Sequence, residues 1–321
     1  MRWLGDRESE NVEDRRGGFG GGGGGGGFPI GVGGGVGAIL LIVVGLFFGI
    51  DPSTLIDMLN GAAPQQTQTG QAPRQSYPPD QRWDQPRDQD SYGSSRPPQP
   101  DKRADGGEDR MRQFVSVVLA DTEDVWRVAF RDMGRSYDEP KLVLFTGTIP
   151  SPCGLAQSAS GPFYCPNDHK AYLDLSFFDD MRRRFHASGD FAQAYVIAHE
   201  IGHHVQSELG ILQAANQQRA NADQRRGNAI SVRVELQADC FAGVWANHAD
   251  RTKHILEQGD VEAALNAASA IGDDRLQQQS RGYVVPDAFT HGSSAQRVRW
   301  FRRGLDGGNL KSCDTFSADQ L

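Results

Sequence analysis

The chain has 321 residues and a net charge of −8, and it contains no run of lysine and arginine long enough to follow a phosphate backbone. Because nucleic-acid binding depends on basic surfaces that displace counterions, we expect no nucleic-acid partner. More than half of the 39 glycines and 16 prolines lie in the first third of the chain. A composition rich in Gly, Pro, Gln and Asp cannot bury enough apolar surface to fold there. The remaining residues, roughly two hundred, suffice for one domain with a substantial core.

The first 50 residues divide into a tail and an apolar segment. Residues 1–29 are polar and then glycine-rich, which predicts a disordered tail. Residues 30–50 (IGVGGGVGAILLIVVGLFFGI) carry no charge. At 1.5 Å per residue a helix of this length spans about 30 Å, the thickness of the hydrocarbon core. An uncharged run this long favours a transmembrane helix in the lipid bilayer over a buried core helix.

The charges around this segment predict its orientation. Arg2, Arg7, Arg15 and Arg16 precede it, whereas residues 51–73 contain no lysine or arginine. The positive-inside rule therefore predicts a single-pass protein with a cytoplasmic N-terminus and the rest of the chain in the periplasm or at the cell exterior. A cleaved signal peptide is the alternative. The leading segment is long and glycine-rich for a signal peptide, which favours an uncleaved anchor.

Beyond the apolar segment, the pattern predicts a linker and one folded domain. Residues 51–107 are rich in Pro, Gln, Asp and Ser and predict a disordered spacer. Residues 108–321 open with helical periodicity and include a predicted strand at Leu142–Gly147. Ala171–Ser176 is predicted to be either an edge strand that pairs with a substrate backbone or a core strand. Further helices are predicted at Asp190–Leu209, Ala229–His248, Val261–Ile271 and Ala295–Arg303. The result is an α+β domain, dominated by helices, with a small sheet.

The segment YVIAHEIGHHVQ contains the motif H-E-x-x-H as His199, Glu200 and His203. Positions i and i+4 of a helix share one face, so the two imidazoles can bind one metal ion. Glu200 lies about 100° around the helix, where its carboxylate can act as general base towards a metal-activated water. His204 lies roughly 140° from the first histidine and is expected to be a packing or surface residue. The alternative is an amphipathic helix that carries two histidines and no metal.

A catalytic zinc site needs a third protein ligand. The metzincin motif would place glycine and histidine where this chain has Gln206 and Leu209, which excludes that subfamily. Downstream, VELQADC places Glu235 and Asp239 at i, i+4 spacing on a predicted helix. We predict that Glu235 is the third ligand of one Zn²⁺ per chain and that Asp239 accepts the N–H of a ligand histidine. A solvated acidic helix face is the alternative.

Several segments, AHEIGHHVQ, VELQADCFAGVWA, YCPNDHKAYLDLSFF and FTHGSSAQRVRWF, resemble the neutral zinc metallopeptidase family of bacterial membrane-anchored proteins. The resemblance covers the folded domain and the anchor. It implies a zincin-like fold with His199, His203 and Glu235 as zinc ligands and Glu200 as the catalytic base. It says little about substrates, since the family is named largely from its motif.

The segment THGSSAQRV (residues 290–298) is similar to the late T-H-P-x-x-x-x-R-[IV] segment of the integral-membrane and heat-shock zinc peptidases. That similarity implies that His291 steadies the oxyanion of a tetrahedral intermediate. The chain departs from that pattern at Gly292, where the pattern has proline. The alternative is that His291 is a loop or helix-capping residue. The other histidines have no partner at ligand spacing and are expected to be structural or exposed: His169, His186, His248 and His254.

The four cysteines are Cys153, Cys165, Cys240 and Cys313. Their even number, without a C-x-x-C, fits two disulfides in an oxidising compartment or four buried thiols in the cytosol. An external domain favours the disulfides. Four cysteines permit three pairings, and proximity favours Cys153 with Cys165 and Cys240 with Cys313.

Together these features predict a membrane-anchored zinc endopeptidase whose partner is a protein or peptide substrate. One alternative is a catalytically inactive zincin-like domain that binds or scaffolds components of the cell envelope, although the intact Glu200 argues against it. Another is a zinc amidase that acts on cell-wall peptides and uses the same ligands.

Overall fold

The computed structural model describes residues 1–16, 102–157, 161–184 and 187–321. The predicted transmembrane segment 30–50 and most of the predicted linker lie outside the described residues. Within the described part of the chain, no helix is both long enough and apolar enough to cross a bilayer.

The described elements form a helix-dominated α+β domain, as the sequence predicts. The strands are β1 (Val12–Asp14), β2 (Lys141–Phe145), β3 (Thr148–Ser151), β4 (Gly154–Gln157), β5 (Phe163–Cys165) and β6 (Lys170–Asp174). The helices are α1 (Lys102–Asp132), α2 (Ser176–Arg183), α3 (Asp190–Glu208), α4 (Ile211–Ala220), α5 (Gln224–Lys253), α6 (Asp260–Ala270), α7 (Asp273–Arg281) and α8 (Ser294–Gly307). Short 3-10 helices cover Pro286–Ala288 and Leu310–Cys313. The predicted linker is too long by six residues, because α1 begins at Lys102 and not at residue 108.

The main sheet has the strand order β1-β2-β6-β5. β1, β2 and β6 are parallel, and β5 runs antiparallel to β6. β3 and β4 form a separate antiparallel hairpin. The strand predicted at Ala171–Ser176 corresponds to β6, which has β2 on one side and β5 on the other. It is therefore a core strand, and β5 is the edge strand next to it in the described sheet.

Alternate residues of β2 face two different apolar clusters, as the period of a strand requires. Leu142 and Leu144 face the helices and join the main core. Val143 and Phe145 face the other side, where they pack with residues of the β3–β4 hairpin, among them Ile149. The central strand is thus covered on both faces, which fixes its position beneath the helices.

Helix α3 lies at the centre of the domain and packs against α1, α5 and α6. Its first half, FAQAYVIA, is buried, so this part of the helix is anchored in the core. Phe191 of α3 stacks on Trp245 of α5 with 5.9 Å between ring centroids. At Gly202, a Cβ atom would lie 3.0 Å from the carbonyl oxygen of Ala238, which is closer than ordinary van der Waals contact, so glycine favours this close approach of α3 and α5.

The structure differs from the predicted disordered tail over residues 1–16, which fold onto the domain; residues 17–29 lie outside the described residues. Trp3 is buried and donates from Nε1 to Asp190 Oδ2 at 2.8 Å. Arg7 donates to the carbonyl oxygen of Ala120 at 2.8 Å. β1 pairs with β2, with Val12 opposite Leu142. The prediction of disorder rested on the glycine run that follows, which dominates the composition of this region. The few apolar residues before that run are too scattered to indicate a folded segment.

This pairing bears on the predicted orientation of the chain. Residues 1–16 and the domain share one sheet in the structure, whereas the sequence predicts a cytoplasmic N-terminus and an external domain. That orientation stays a prediction, because residues 30–50 lie outside the described residues.

Both predicted disulfides are present. Cys153, in the turn between β3 and β4, is bonded to Cys165 at the end of β5, which ties the hairpin to the main sheet. Cys240 of α5 is bonded to Cys313, which attaches the C-terminal segment to the helix that carries Glu235. A cross-link between positions this far apart in sequence removes conformational freedom from the unfolded chain.

Candidate metal centre

The structure brings His199, His203 and Glu235 together at the crossing of α3 and α5. His199 Nε2 lies 3.2 Å from Glu235 Oε2, and His203 Nε2 lies 3.6 Å from Glu235 Oε1. The two imidazole rings have centroids 4.8 Å apart and are nearly perpendicular. The three side chains are 8%, 12% and 19% exposed, so the cluster is largely buried but open to solvent on one side.

This donor set fits zinc. Two imidazoles and one carboxylate form a common ligand set of catalytic zinc sites. Tetrahedral bonds of about 2.0–2.1 Å place ligand atoms roughly 3.3 Å apart, close to the separations found here. The ligand set therefore needs little rearrangement to hold an ion, and it leaves one position open.

Asp239 lies one helical turn beyond Glu235, and its Oδ1 is 2.9 Å from His199 Nδ1. A proton on Nδ1, donated to this carboxylate, leaves the Nε2 lone pair for a metal ion. Arg297 of α8 holds the carboxylate from the other side, with Nε donating to Oδ2 and Nη2 to Oδ1, both at 2.8 Å. Tyr195 also donates its hydroxyl to Oδ1. The orientation of His199 is thus fixed by a buried network.

Electrostatics keep this network charged. Burial opposes ionisation of Asp239, but the charges of Arg297 and His199 and their hydrogen bonds lower its pKa to about 2. Burial lowers the pKa of His199, but Asp239 and Glu235 outweigh this effect and raise it to about 10. A metal ion that binds Nε2 must displace the proton there, so metal binding is favoured by higher pH.

Gln206 supports the second histidine in a way that the sequence analysis missed. Its Oε1 lies 2.9 Å from His203 Nδ1. Its Nε2 donates to the carbonyl oxygen of Val234 at 2.7 Å and to Gln237 Oε1 at 3.0 Å. The residue that excludes the metzincin motif is therefore a hydrogen-bond acceptor for His203, held by two contacts with α5.

Arg297 was also missed, although a signal for it exists. The arginine of the T-H-P-x-x-x-x-R pattern falls on this residue, which is 2% exposed. The sequence alone does not indicate which carboxylate it contacts, because α8 and α5 are far apart in the chain.

Glu200 follows the first histidine on α3 and is half-buried. It lines a small cavity together with Tyr172 and Leu173 of β6. Burial raises the pKa of this carboxyl above its usual value, while the charges of His199 and His203 act in the opposite direction. A raised pKa suits a group that must accept a proton and then release it.

His291 lies in the loop before α8, and its side chain is 48% exposed. Asp273 holds the loop, because Oδ2 accepts backbone N–H groups from Thr290, His291 and Gly292 at 2.7, 2.6 and 3.1 Å. Gly292 has φ +89°, which proline cannot adopt, so the loop departs from the proline pattern. Burial lowers the pKa of His291, but Asp273 and Glu235 raise it overall, which places the ring in the field of the metal ligands.

His204 is buried, as expected of a packing residue. Its ring meets those of Tyr137 and Tyr164 edge to face, each at 5.5 Å between centroids. His186 lies outside the described residues.

A family described as putative neutral zinc metallopeptidase matches residues 1–88 and 83–316 of the chain. The chain belongs to this family. Within this zinc metallopeptidase family, the uncharacterized protein YpfJ of Escherichia coli (strain K12) is 49% identical over 319 residues, or 98% of this chain and 99% of that protein. The uncharacterized protein Rv2575 of Mycobacterium tuberculosis strain H37Rv is 43% identical over 219 residues, or 65% of this chain and 73% of that protein. No solved structure matches the chain significantly.

In this member of the family, replacing Arg297 by Met should weaken zinc binding. The variant leaves Asp239 as an unpaired buried charge, so we expect a loss of about 3–5 kcal/mol of stability and of about 10–100-fold in zinc affinity. Competition with a chromogenic chelator and urea unfolding measure the two effects. Arg299→Met, on the exposed face of the same helix, is the control. Equal zinc affinity in the two variants would contradict the positioning role.

Proposed function

We propose that the chain is a zinc-dependent endopeptidase that hydrolyses peptide bonds in proteins or peptides. The convergence of His199, His203 and Glu235 beside Glu200 carries this proposal. Within the described residues, no fourth histidine, cysteine or carboxylate joins the cluster. Three protein ligands with an open position are typical of catalytic zinc, whereas structural sites are closed by four. An adjacent carboxylate is needed only where water must be activated.

In this proposal, the residues around the metal centre have separate roles in hydrolysis. Zinc, when bound, supplies a Lewis acid that polarises a carbonyl and lowers the pKa of water. Glu200 accepts the proton of the attacking water on its carboxylate and delivers it to the leaving amine. Asp239 and Gln206 keep the two imidazoles oriented through their Nδ1 atoms. These supports are in place before substrate arrives, so little reorganisation is required.

We further propose that His291 donates a hydrogen bond to the developing oxyanion. Three observations support this role: its electrostatic coupling to Glu235, its exposed ring and the loop held by Asp273. A protonated imidazole is a strong donor to an anionic oxygen, and the carboxylates nearby favour that protonated form.

The proposed location of the domain is extracytoplasmic. Two disulfides form and persist in oxidising compartments. We propose that residues 1–16, whose strand β1 pairs with β2, lie on the same side of the membrane as the domain. Contact with the bilayer through residues 30–50 stays a prediction, as that segment lies outside the described residues.

Thiol labelling of the chain in its native host tests this location. Cells are lysed into an alkylating reagent without reductant, and the mass of the full chain is measured. We expect no labelled cysteine, because all four are held in disulfides. Labelled Cys240 and Cys313 would place the domain in a reducing compartment.

Two variants in a peptide-library digest test the chemistry. Glu200→Gln should lose about 10²–10⁴-fold in kcat while it retains zinc, since the amide cannot accept a proton. His291→Gln should lower kcat by about 10²-fold with little change in KM, because its contact forms in the transition state. Addition of chelator to the wild-type protein should abolish cleavage. Undiminished proteolysis by Glu200→Gln would refute the assigned base, and cleavage only of cell-wall peptides would indicate an amidase.

A further inference from the structure

We propose that the chain holds a second site for a divalent transition-metal ion, formed by His169, His204 and Glu208. The ligand atoms of these three side chains all lie within 4.8 Å of one another. His204 and Glu208 stand at i, i+4 on α3, the same spacing as the two histidines of the first site, and therefore share a face of the helix. Their face differs from the one that carries His199 and His203, so the two sites are separate.

His204 is oriented as metal-bound histidines are. Its Nε2 lies 2.6 Å from the backbone carbonyl oxygen of Asp138, an atom that only accepts hydrogen bonds, so Nε2 carries the proton. In the neutral ring the lone pair is then on Nδ1, which contacts the same Tyr164 hydroxyl that approaches His169. A metal-ligating imidazole typically donates its other N–H to a carbonyl or carboxylate in this way. The ring is almost completely buried and packed by tyrosines, so its orientation is fixed.

Tyr164 marks the point where the donor atoms converge. Its hydroxyl oxygen lies 3.1 Å from His204 Nδ1 and 3.4 Å from His169 Nδ1. A phenol has one proton and satisfies one of these two nitrogens at a time. In the tautomer that carries its proton on Nε2, the other imidazole keeps an Nδ1 lone pair that a cation can use, and the phenol oxygen is positioned to complete the donor set.

His169 and Glu208 close the site from the surface. His169 Nδ1 lies 3.8 Å from Glu208 Oε1, compared with a ligand separation of roughly 3.3 Å in a tetrahedral zinc site. The side chain of His169 is 55% exposed, so it can rotate to shorten this distance, and it gives an ion a path of entry. Two imidazoles favour zinc, copper or nickel over magnesium and calcium, which prefer oxygen ligands.

An ion at this site would join two elements that border the first site. His169 lies in the turn between β5 and β6, just after the Cys153–Cys165 disulfide, while His204 follows the ligand His203 directly on α3. The second ion would therefore fix the end of the HExxH helix against the edge of the sheet. This is a stabilising role and goes beyond the proposed peptidase chemistry.

Zinc stoichiometry of the full chain tests this site. The Glu200→Gln protein, which does not digest itself, is stripped with chelator, equilibrated with excess Zn²⁺, desalted and analysed by mass spectrometry for zinc per chain. We expect about two zinc ions per chain, and about one after a further His169→Ala substitution. His254→Ala is the matched control, because His254 is also exposed and also has a positive φ, +53° against +57° for His169. The control should keep about two zinc ions.

A third variant separates the two sites. His199→Ala with His203→Ala, in the same background, should keep about one zinc ion, and adding His169→Ala should remove it. A count of about one for the Glu200→Gln protein that is unchanged by His169→Ala, or equal counts for His169→Ala and His254→Ala, would overturn the second site. If the first site alone were wrong, the Glu200→Gln protein would bind about one zinc ion, the His199→Ala and His203→Ala substitutions would leave that count unchanged, and His169→Ala would remove the ion. The two failures are therefore distinguishable.

Discussion

The close crossing of α3 and α5 is the constraint on which the candidate metal centre depends. A Cβ atom on Gly202 would lie 3.0 Å from the carbonyl oxygen of Ala238, so a larger residue would force the two helices apart by a few tenths of an ångström. Glu235 and Asp239 flank that contact on α5, and His199 and His203 flank it on α3. A wider crossing would move the carboxylate of Glu235 away from the two imidazoles and weaken the three-ligand site.

A second close contact ties α8 to the same centre. A Cβ atom on Gly304 of α8 would overlap the carbonyl oxygen of Cys240. The backbones of α8 and α5 therefore also lie so close together that this position requires glycine. This packing delivers Arg297 to Asp239 inside the core. Burying a charge pair costs free energy unless its geometry is good. The two parallel hydrogen bonds from the Arg297 guanidinium to the Asp239 carboxylate meet that condition. The loop that carries His291 leads directly into α8, so the position of that histidine depends on the same contact.

The parts of this architecture that follow from local periodicity could be predicted from the sequence. The i, i+4 spacing placed His199 with His203 and Glu235 with Asp239 on helices, and the structure brings the two pairs together. Contacts between distant segments could not be predicted in this way. The support of Asp239 by Arg297 depends on how α8 packs, and the role of Gln206 depends on the position of Val234 on another helix. Residues 1–16 were misjudged because a three-residue strand has too little periodicity to stand out beside a glycine run.

Anomalous X-ray diffraction at the zinc edge, from crystals of the zinc-loaded full chain, tests the central claim most directly. The account predicts a peak within about 2.0–2.2 Å of His199 Nε2, His203 Nε2 and a Glu235 carboxylate oxygen. Density for these three side chains in the same arrangement, with zinc bound elsewhere and none between them, would contradict it.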